Sequence, residues 1–177
     1  MSLVDIKFNF PILSPEEFKA KEHIIYDAIA ATMQTQRAMI FDKEGAYNGR
    51  QKWAPLKFRT GQILSDKGTL RKSIGPTTNG MTPVKSKGSI VRFEAETVTI
   101  GTDIAYAMIH DQGGVITPIN GKFLVFKVPK GKRGSRFIFA KKVTIPARTF
   151  SDITGPDTDE IQETMAGLVA GIFNGAN

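Results

Sequence analysis

Apolar residues recur every three or four positions in the N-terminal part of the chain, from Phe18 to Met39. This spacing places them along one side of an α-helix. Ser14 suits the N-cap position, and Pro15 suits the first helical turn, where a missing backbone N–H is tolerated. Loop-forming residues with two glycines follow Asp42. The pattern predicts a helix of about 25 residues that ends near Asp42.

Apolar and polar residues alternate in two later parts of the chain, which is typical of β-strands. The segment 89–101 predicts a hairpin of two short strands. The segments 122–128 and 136–145 predict a second hairpin around a basic tip with several glycines and lysines.

Three further helical segments are predicted. A single turn is expected near Thr69 to Ser73. A short helix is expected over 103–114, with Gly113 or Gly114 as the left-handed residue that ends it. The last helix begins at GPDTDEIQE and is ended by Gly175, and one helical stripe is formed by Ile161, Met165, Leu168, Val169 and Ile172.

The order of elements is helix, hairpin, short helix, hairpin, helix. Because the strands come in hairpins and do not alternate with helices, this order predicts an α+β fold. We expect an antiparallel sheet of about four or more strands, with a long N-terminal helix and a C-terminal helix packed on it. Residues 1–177 are expected to form a single domain. Flexible loops are expected near 75–89 and 128–136.

Composition narrows the class of protein. The chain has 177 residues, of which 41% are hydrophobic and 23% are charged, as in a typical globular protein. It has no cysteine, so disulfides, thiolate metal sites and cysteine nucleophiles are excluded. No apolar run approaches the roughly 20 residues of a membrane span. The N-terminal residues lack the basic and apolar regions of a secretion signal. We therefore expect no membrane association.

The net charge of +7 is unevenly distributed. The segment 121–142 has no acidic residue, and the segment 151–163 has no basic residue. A subunit with two such faces can dock on an acidic surface, on nucleic acid or on a copy of itself. The basic set is Lys122, Lys127, Lys130, Lys132, Arg133, Arg136, Lys141 and Lys142, and the acidic set is Asp152, Asp157, Asp159, Glu160 and Glu163.

His110 is the candidate for catalysis, as one of only two histidines in the chain. A catalytic histidine needs a nucleophile within reach and an orienting partner. Asp111 points elsewhere on a helix, and no serine lies in a glycine-flanked elbow. A structural interpretation is favoured, because exposed carbonyls in the last turn of a short helix attract a donor. The segment is then a corner that anchors the sheet through Tyr106 and Ile109.

Metal and acid–base sites are not supported by the spacing. His23 is far from His110 in sequence and has no second histidine four residues away. Asp157, Asp159 and Glu160 lie where the first turn of the last helix is expected, and negative charge stabilises a helix there. Capping therefore explains these carboxylates better than acid–base catalysis, and no cofactor is expected.

The basic tip is interpreted first as a solvated loop and second as a surface for a protein partner, and a nucleic-acid site is the third alternative. The lysines and arginines from Lys130 to Arg136 could neutralise phosphates, and Phe137 and Phe139 alternate beside them. Core packing is the favoured interpretation of the two phenylalanines, because Phe123 and Val125 can meet them across the hairpin. Base stacking is the alternative.

Four motifs resemble the virion-morphogenesis, or tail-completion, family of Mu-like phages and prophages. They are WAPLK at 53–57, ILSDKGTLRKSI at 63–74, VTIGTDIAYAMIHDQGG at 98–114 and IPARTF at 145–150. The resemblance covers roughly Asp42 to the C-terminus and departs at Thr149, where a second proline is common. Independently of it, Trp53 is interpreted as a packing anchor and not as an interface residue. The motif residues are Trp53, Leu64, Gly68, Leu70, Tyr106, His110, Gly113, Pro146, Arg148 and Phe150.

The resemblance implies a non-enzymatic assembly protein, without cofactors, at the head-proximal end of a phage tail. It implies a homo-oligomeric ring, with a hexamer as one option, that docks on tail tube or sheath proteins and on neck or connector proteins. The expected location is the virion tail or neck, and the host cytoplasm during assembly. A basic nucleic-acid-binding module that uses the hairpin at 127–142 is the alternative. From the charge pattern, the expected assembly interface includes Lys130, Lys132, Arg133, Arg136, Asp157, Asp159 and Glu160.

Overall fold

The computed structural model describes residues 2–7, 14–56, 61–76, 81–94, 97–131 and 134–174. The helices within them are α1 (Pro15–Asp42), α2 (Thr69–Ile74), α3 (Ala107–Gln112) and α4 (Gly155–Asn174). The strands are β1 (Ser2–Lys7), β2 (Ser89–Glu94), β3 (Thr97–Thr102), β4 (Gly114–Ile116), β5 (Leu124–Gly131), β6 (Gly134–Ala140) and β7 (Val143–Ile145). The predicted α+β class is confirmed. None of the helices so described has both the length and the apolar character that a membrane crossing requires.

Helix α1 is the element around which the chain packs. Its bounds confirm the predicted N-terminal helix. Most residues from Ile25 to Phe41 are buried, polar as well as apolar. A helix buried all round needs partners on every side, and β3, α2 and α4 supply them. The buried side chain of Gln34 pairs with the backbone of Val84, at 2.8 and 2.9 Å, and so attaches the loop before β2 to α1.

Strand β3 is the centre of a three-stranded antiparallel sheet with the order β1–β3–β2. The predicted hairpin of β2 and β3 is confirmed, with Val91 opposite Ile100. Strand β1 has no counterpart in the predicted order of elements. Its Val4 lies opposite Ile100 on the other side of β3 and is buried.

The expectation of a single sheet with four or more strands is wrong. The other four strands form two separate antiparallel pairs, β4 with β7 and β5 with β6. The chain bends at Lys141. The apolar run over 136–145 therefore divides into β6 and β7, each with its own partner, and does not form one strand. The predicted second hairpin is confirmed for β5 and β6, with Val125 opposite Phe139.

Two apolar clusters fill the interior. The first lies where α1 meets the three-stranded sheet and α4, and it includes Ile29 and Ile100. The second joins the C-terminal end of α1 to the segment 53–74, to α3 and to Phe150. The helical stripe predicted for α4 is confirmed in its buried residues Ile161, Met165 and Val169.

A buried cluster of charged side chains ties α1 to the start of α4. Asp157 Oδ2 accepts a hydrogen bond from Arg37 Nη2 at 3.1 Å, and both side chains are almost fully buried. Asp157 Oδ1 accepts from Arg50 Nη1 at 3.1 Å and from Asn48 Nδ2 at 2.8 Å. The backbone N–H of Thr154 donates to Oδ2 at 3.1 Å, as in a capping box. One carboxylate thus serves as an ion-pair partner and as a helix cap.

The two arginines of this cluster also hold the chain that leads into α4. Arg37 Nη1 donates to the carbonyl of Phe150 at 2.9 Å and to the carbonyl of Asp152. Arg50 Nη2 donates to the same Asp152 carbonyl at 2.8 Å, and Arg50 Nε lies 3.1 Å from its carboxylate. Helix α1, the loop after it and the segment before α4 are therefore joined through a set of charge-assisted hydrogen bonds.

Charge coupling shifts the pKa values in this cluster. Burial alone would raise the pKa of Asp157, but hydrogen bonds, first from Arg50 and then from Asn48, lower it from 3.8 to about 2. Desolvation lowers the pKa of Arg37, against the opposing attraction of Asp157. Because the folded-state pKa of Asp157 is depressed, the ionised carboxylate stabilises the fold above about pH 4. This contribution is lost as the pH falls towards about 2.

We expect Asp157→Asn to lower the free energy of unfolding by about 3 kcal/mol at neutral pH, because it leaves the buried Arg37 without its counter-charge. The control is Asp159→Asn, which removes an exposed carboxylate in the same helical turn. It should change the free energy of unfolding by less than about 0.5 kcal/mol. Urea unfolding followed by circular dichroism measures both variants.

The same measurement at lower pH identifies the charge as the cause. As the pH falls from about 4 to about 2, the wild-type carboxylate becomes protonated. The stability difference between wild type and Asp157→Asn should then shrink by about 2 kcal/mol. A difference that stays constant over this range, or two variants of equal stability at neutral pH, would contradict the role assigned to Asp157.

Candidate functional site

An open cleft of about 1130 Å³ lies between the β5–β6 hairpin, β7, α3 and the segment 54–70. Its walls are mainly apolar, with Leu56 on the segment and Phe126 and Ile138 on the hairpin. The four motifs, far apart in sequence, meet here. A concave apolar surface of this kind is the default candidate for a binding site. The motif residues that line it are Leu64, Gly68, Leu70, Tyr106, His110, Pro146 and Arg148.

Helix α3 carries two of these residues at its ends. It confirms the predicted short helix, and His110 lies in its last turn as expected. The ring of Tyr106 stands edge-on to the ring of His110, with centroids 5.9 Å apart. Tyr106 is 46% exposed, so the expectation that it anchors the sheet is wrong. The buried residues of α3 are Ala107 and Asp111, and these two residues hold the helix against the rest of the fold.

Asp111 is the side chain through which α3 holds the following segment. Its Oδ1 accepts from the backbone N–H groups of Phe150 at 2.8 Å and Ser151 at 3.1 Å. Its Oδ2 accepts from the Ser151 hydroxyl at 2.5 Å. Both carboxylate oxygens thus hold this segment. No motif pointed to this role. The available signal was a carboxylate in the last turn of a helix, where the dipole disfavours it unless it has a specific partner.

Arg148 joins three parts of the chain at one wall of the cleft. Its backbone N–H donates to the carbonyls of His110 at 2.9 Å and Asp111 at 3.2 Å. Its side-chain Nη2 donates to the carbonyl of Ala54 at 3.2 Å. The residue is buried. These bonds satisfy carbonyls at the end of α3 that have no partner within the helix. The bond to Ala54 also holds the IPARTF motif against the WAPLK motif.

Trp53 and Phe150 lie behind the cleft and do not line it. Both are buried beside Phe41 of α1, whose ring centroid is 5.4 Å from that of Trp53 and 5.2 Å from that of Phe150. The indole N–H of Trp53 donates to the carbonyl of Thr149 at 3.3 Å. This packing is the anchor role expected for Trp53.

Three motif residues, Leu64, Gly68 and Gly113, have a positive φ, which most residues avoid. Gly113 ends α3 with a φ of 75° and a ψ of 178°, so it, and not Gly114, takes the positive φ. A β-carbon on Gly113 would lie 2.7 Å from the backbone nitrogen of Ala147. Leu64 has a φ of 57° without being glycine. Such strain costs of the order of 1 kcal/mol and clusters at functional sites.

Two interactions of His110 in the cleft are described by the structure. Its backbone carbonyl accepts the Arg148 N–H, and its ring packs against Tyr106. His23 is exposed on α1 and contributes to a different surface. Within the part of the chain that the structure describes, no group of His, Asp and Glu side chains is large enough to hold a metal ion.

The three carboxylates expected at the assembly interface have different positions on α4. Asp157 is the buried centre of the ionic cluster, so a neighbouring protein could reach it only if that cluster opened. Glu160 is half-buried and accepts from the Tyr47 hydroxyl at 2.9 Å. Burial and this carboxylate raise the pKa of Tyr47 to about 12. Asp159 is exposed, and so is Glu163 one turn later.

The basic residues expected at the same interface belong to the β5–β6 hairpin. Lys130 lies in β5 and Arg136 in β6, while Lys132 and Arg133 fall outside the described residues. Much of the segment 128–136, predicted as a loop, is therefore strand, because Val128 to Gly131 pair across to β6. The lysines whose side chains are described on this hairpin and beside it are all exposed: Lys122, Lys127, Lys141 and Lys142.

The hairpin also exposes an apolar surface, here called the outer face and made of Phe123, Val125, Phe137 and Phe139. Phe137 is 57% exposed and Phe139 is 64% exposed, so the expectation that both pack in the core is wrong. Their shared face is confirmed, because Val125 lies directly opposite Phe139. The alternate residues on the other face, such as Ile138, take the side that lines the cleft. Successive side chains of a strand point to opposite sides, so the outer face points away from the cleft and into solvent.

A model of the phage virion morphogenesis family matches residues 12–170 of the chain. The chain belongs to this family. The match spans α1, all four motifs and most of α4, and it confirms the resemblance drawn from the motifs. No curated protein and no solved structure has a significant match to the chain.

In this virion morphogenesis protein, the motif residues build the walls of the cleft and the packing behind them. The residues that hold those walls from further away carry no motif. Arg37 and Arg50 are among them. The signal for Arg37 was a charged residue inside an apolar helical pattern, which requires a buried partner. The sequence does not indicate that this partner is Asp157.

We expect Gly113→Ala to destabilise the virion morphogenesis protein by about 2 kcal/mol or more, through the strained φ and the close backbone of Ala147. The control is Gly121→Ala, where the nearest atom to an added β-carbon is 3.8 Å away. Its stability should stay within about 0.5 kcal/mol of wild type. Thermal unfolding of the two purified variants measures the difference. A Gly113→Ala protein as stable as Gly121→Ala would show that the corner after α3 is not tightly packed.

Proposed function

We propose that this virion morphogenesis protein completes the head-proximal end of a phage tail and takes part in joining the tail to the head. It acts without catalysis, by forming a homo-oligomeric ring and docking on tail tube or sheath proteins and on neck or connector proteins. The observation that carries the proposal is the family match over residues 12–170. Before assembly the protein is in the host cytoplasm, and afterwards it is part of the virion tail or neck.

The apolar surfaces of the chain support a role in protein assembly. The cleft and the outer face lie on opposite sides of the same two strands, and both present aliphatic and aromatic side chains. Single soluble proteins rarely expose large contiguous apolar surface, and such patches usually mark interaction sites. A hairpin with two apolar sides can contact two different neighbours, as a protein between tail and neck must do.

The polar groups around the cleft support binding over catalysis. The carboxylate of Asp111 accepts hydrogen bonds from Phe150 and Ser151 and so holds the segment before α4. The Arg148 side chain donates to the backbone of Ala54 and helps to build the wall. Two polar side chains close in sequence or by backbone contact to His110 are thus engaged in holding the fold.

Nucleic-acid binding through the hairpin at 127–142 is the second candidate function. The observation in its favour is the exposure of Phe137 and Phe139 beside Lys127, because aromatic rings and cations together bind single-stranded nucleic acids. The assembly role is favoured, because the same surface continues into the aliphatic side chain of Val125, which offers no stacking plane.

Deletion of the gene from the phage or prophage is expected to produce filled heads and separate tails in place of complete virions. An uncompleted tail end lacks the surface that joins it to the neck. Electron microscopy of lysates and the plaque titre measure this. Complementation with wild type or with the control variant Gly121→Ala should restore joined particles. Normal joined virions in the deletion lysate would contradict the proposed function.

We expect only weak binding to DNA, with a Kd of about 10⁻⁴ M at physiological salt, which is the weak end of the range for non-specific contacts. Fluorescence anisotropy with labelled single strands and duplexes, repeated across salt concentrations, measures the Kd. A micromolar Kd that is lost on Arg133→Glu with Arg136→Glu would favour the nucleic-acid function instead.

A further inference from the structure

The outer face of the β5–β6 hairpin has no covering element among the described residues. The two strands pair mainly with each other. An isolated two-stranded hairpin is marginally stable in water and gains stability when an apolar face is packed. Here the cleft-lining side is only partly packed, and the outer face carries the most exposed phenylalanines, Phe137 and Phe139. The hairpin is therefore built for a contact that the described part of one chain does not supply.

The charge of the hairpin limits what can cover it. Lys127 lies directly opposite Phe137, at the end of the outer face that is nearer the tip of the hairpin. The segment 121–142 has no acidic residue. Two outer faces packed against each other would bring like charges together in a desolvated contact, which costs several kcal/mol. The surface that covers this face must therefore be apolar and acidic.

One surface of the same chain has this chemistry. It is the exposed side of α4, here called the α4 outer face. Its carboxylates Asp159 and Glu163 lie one turn apart, and small residues follow them. The segment 151–177 has no basic residue. The α4 outer face consists of Asp159, Gln162, Glu163, Ala166, Gly167, Ala170 and Gly171.

The glycines of α4 are not explained by packing within one chain. A β-carbon on Gly167 or Gly171 would meet no atom within 4 Å. Glycine within a helix nevertheless costs about 1 kcal/mol relative to alanine. A helix surface without side chains allows close approach of a neighbour, and large aromatic rings fit against such a flat surface. The two glycines thus agree with the charge argument about which surface covers the hairpin.

The two faces do not cover each other within one chain. Helix α4 packs on α1 through its buried stripe, whereas the hairpin lies beside β7 and the segment 54–70. The outer face of one copy can contact the α4 outer face of a second copy. The resulting pair still has one free outer face and one free α4 outer face. Such a head-to-tail contact repeats, and it closes into a ring when the rotation between copies allows it.

We infer that the outer face of the β5–β6 hairpin packs on the α4 outer face of a second copy of this chain. Phe137 and Phe139 lie against the small residues of α4, and Lys127 pairs with the carboxylates of Asp159 and Glu163. The aromatic rings supply the buried area, and the charges set the orientation. The inference rests on the proposed function, for which it names the surface between ring subunits.

Cysteine cross-linking tests this contact in the full-length protein, because the natural chain has no cysteine. Val125→Cys combined with Ala166→Cys places one thiol on each face. Mild oxidation is expected to give a covalent ladder that extends beyond the dimer on non-reducing gels. Either cysteine alone cannot exceed a dimer. The control pair, Val125→Cys with Lys19→Cys on the exposed side of α1, should give no ladder.

Substitutions in the double-cysteine protein test which side chains carry the contact. Phe137→Ser with Phe139→Ser should reduce the ladder about tenfold or more, as expected for the loss of aromatic anchors. Met108→Ser removes another exposed apolar side chain, outside both faces, and should leave the ladder unchanged. Circular dichroism verifies that each variant is folded. Lys127→Glu should weaken the ladder, and Glu163→Lys in the same chain should restore part of it.

Several results would overturn the inference. These are no ladder from the Val125 and Ala166 pair, a ladder of equal strength from the Lys19 control pair, and a ladder that persists after both phenylalanines are replaced. If replacement of Phe137 and Phe139 leaves the ladder intact but removes binding to single-stranded DNA, the outer face is a nucleic-acid surface.

The cross-linking experiment and the gene deletion test different claims. If deletion blocks head–tail joining and the double-cysteine protein gives no ladder, the proposed function stands and this interface is wrong. If the ladder forms as expected while the deletion strain makes complete virions, the interface stands and the proposed function is wrong.

Discussion

The ion pair between Arg37 and Asp157 is the contact on which the positions of the other elements depend. Both side chains are almost completely buried, so neither charge can be removed without leaving the other unpaired in the interior. The pair joins the first long helix to the last one. Arg37 also holds the carbonyls of Phe150 and Asp152. Asp111 grips the same segment from α3. The α3 wall of the cleft is therefore linked to α1 through hydrogen bonds to the segment before α4.

Local patterns in the sequence predicted the helices and hairpins whose signal lies within one short stretch of the chain. The bounds of α1 followed from helical spacing and from the loop residues after Asp42, and the two main hairpins followed from alternation. The assignment of strands to sheets could not be predicted in this way. Strands β4 and β7 have three residues each, too few for a periodic signal. Strand β1 becomes recognisable only through its pairing with β3, which lies far along the chain.

The sequence predicted most of the residues that line the cleft, but it did not predict the contacts that hold its walls. The motifs named most of the residues that line it, but Asp111 and Arg37 depend on partners from distant segments that no local pattern identifies. The hairpin shows a different limit. Alternation placed Phe139 and Val125 on one face, yet the residues on the other face are apolar too. Periodicity then cannot say which face is covered, and the face predicted to be buried is the exposed one.

The distance along the chain between these partners has a consequence for protein synthesis. Arg37 and Asp157 are 120 residues apart, so the first helix leaves the ribosome long before the carboxylate that neutralises it. Strand β1 likewise cannot pair until β3 has been translated. Until the C-terminal helix has been translated, the apolar side chains of α1 that it covers remain open to solvent. Such nascent chains aggregate readily. Native structure around α1 is therefore completed only after α4 has been translated, in a step that brings these two helices together.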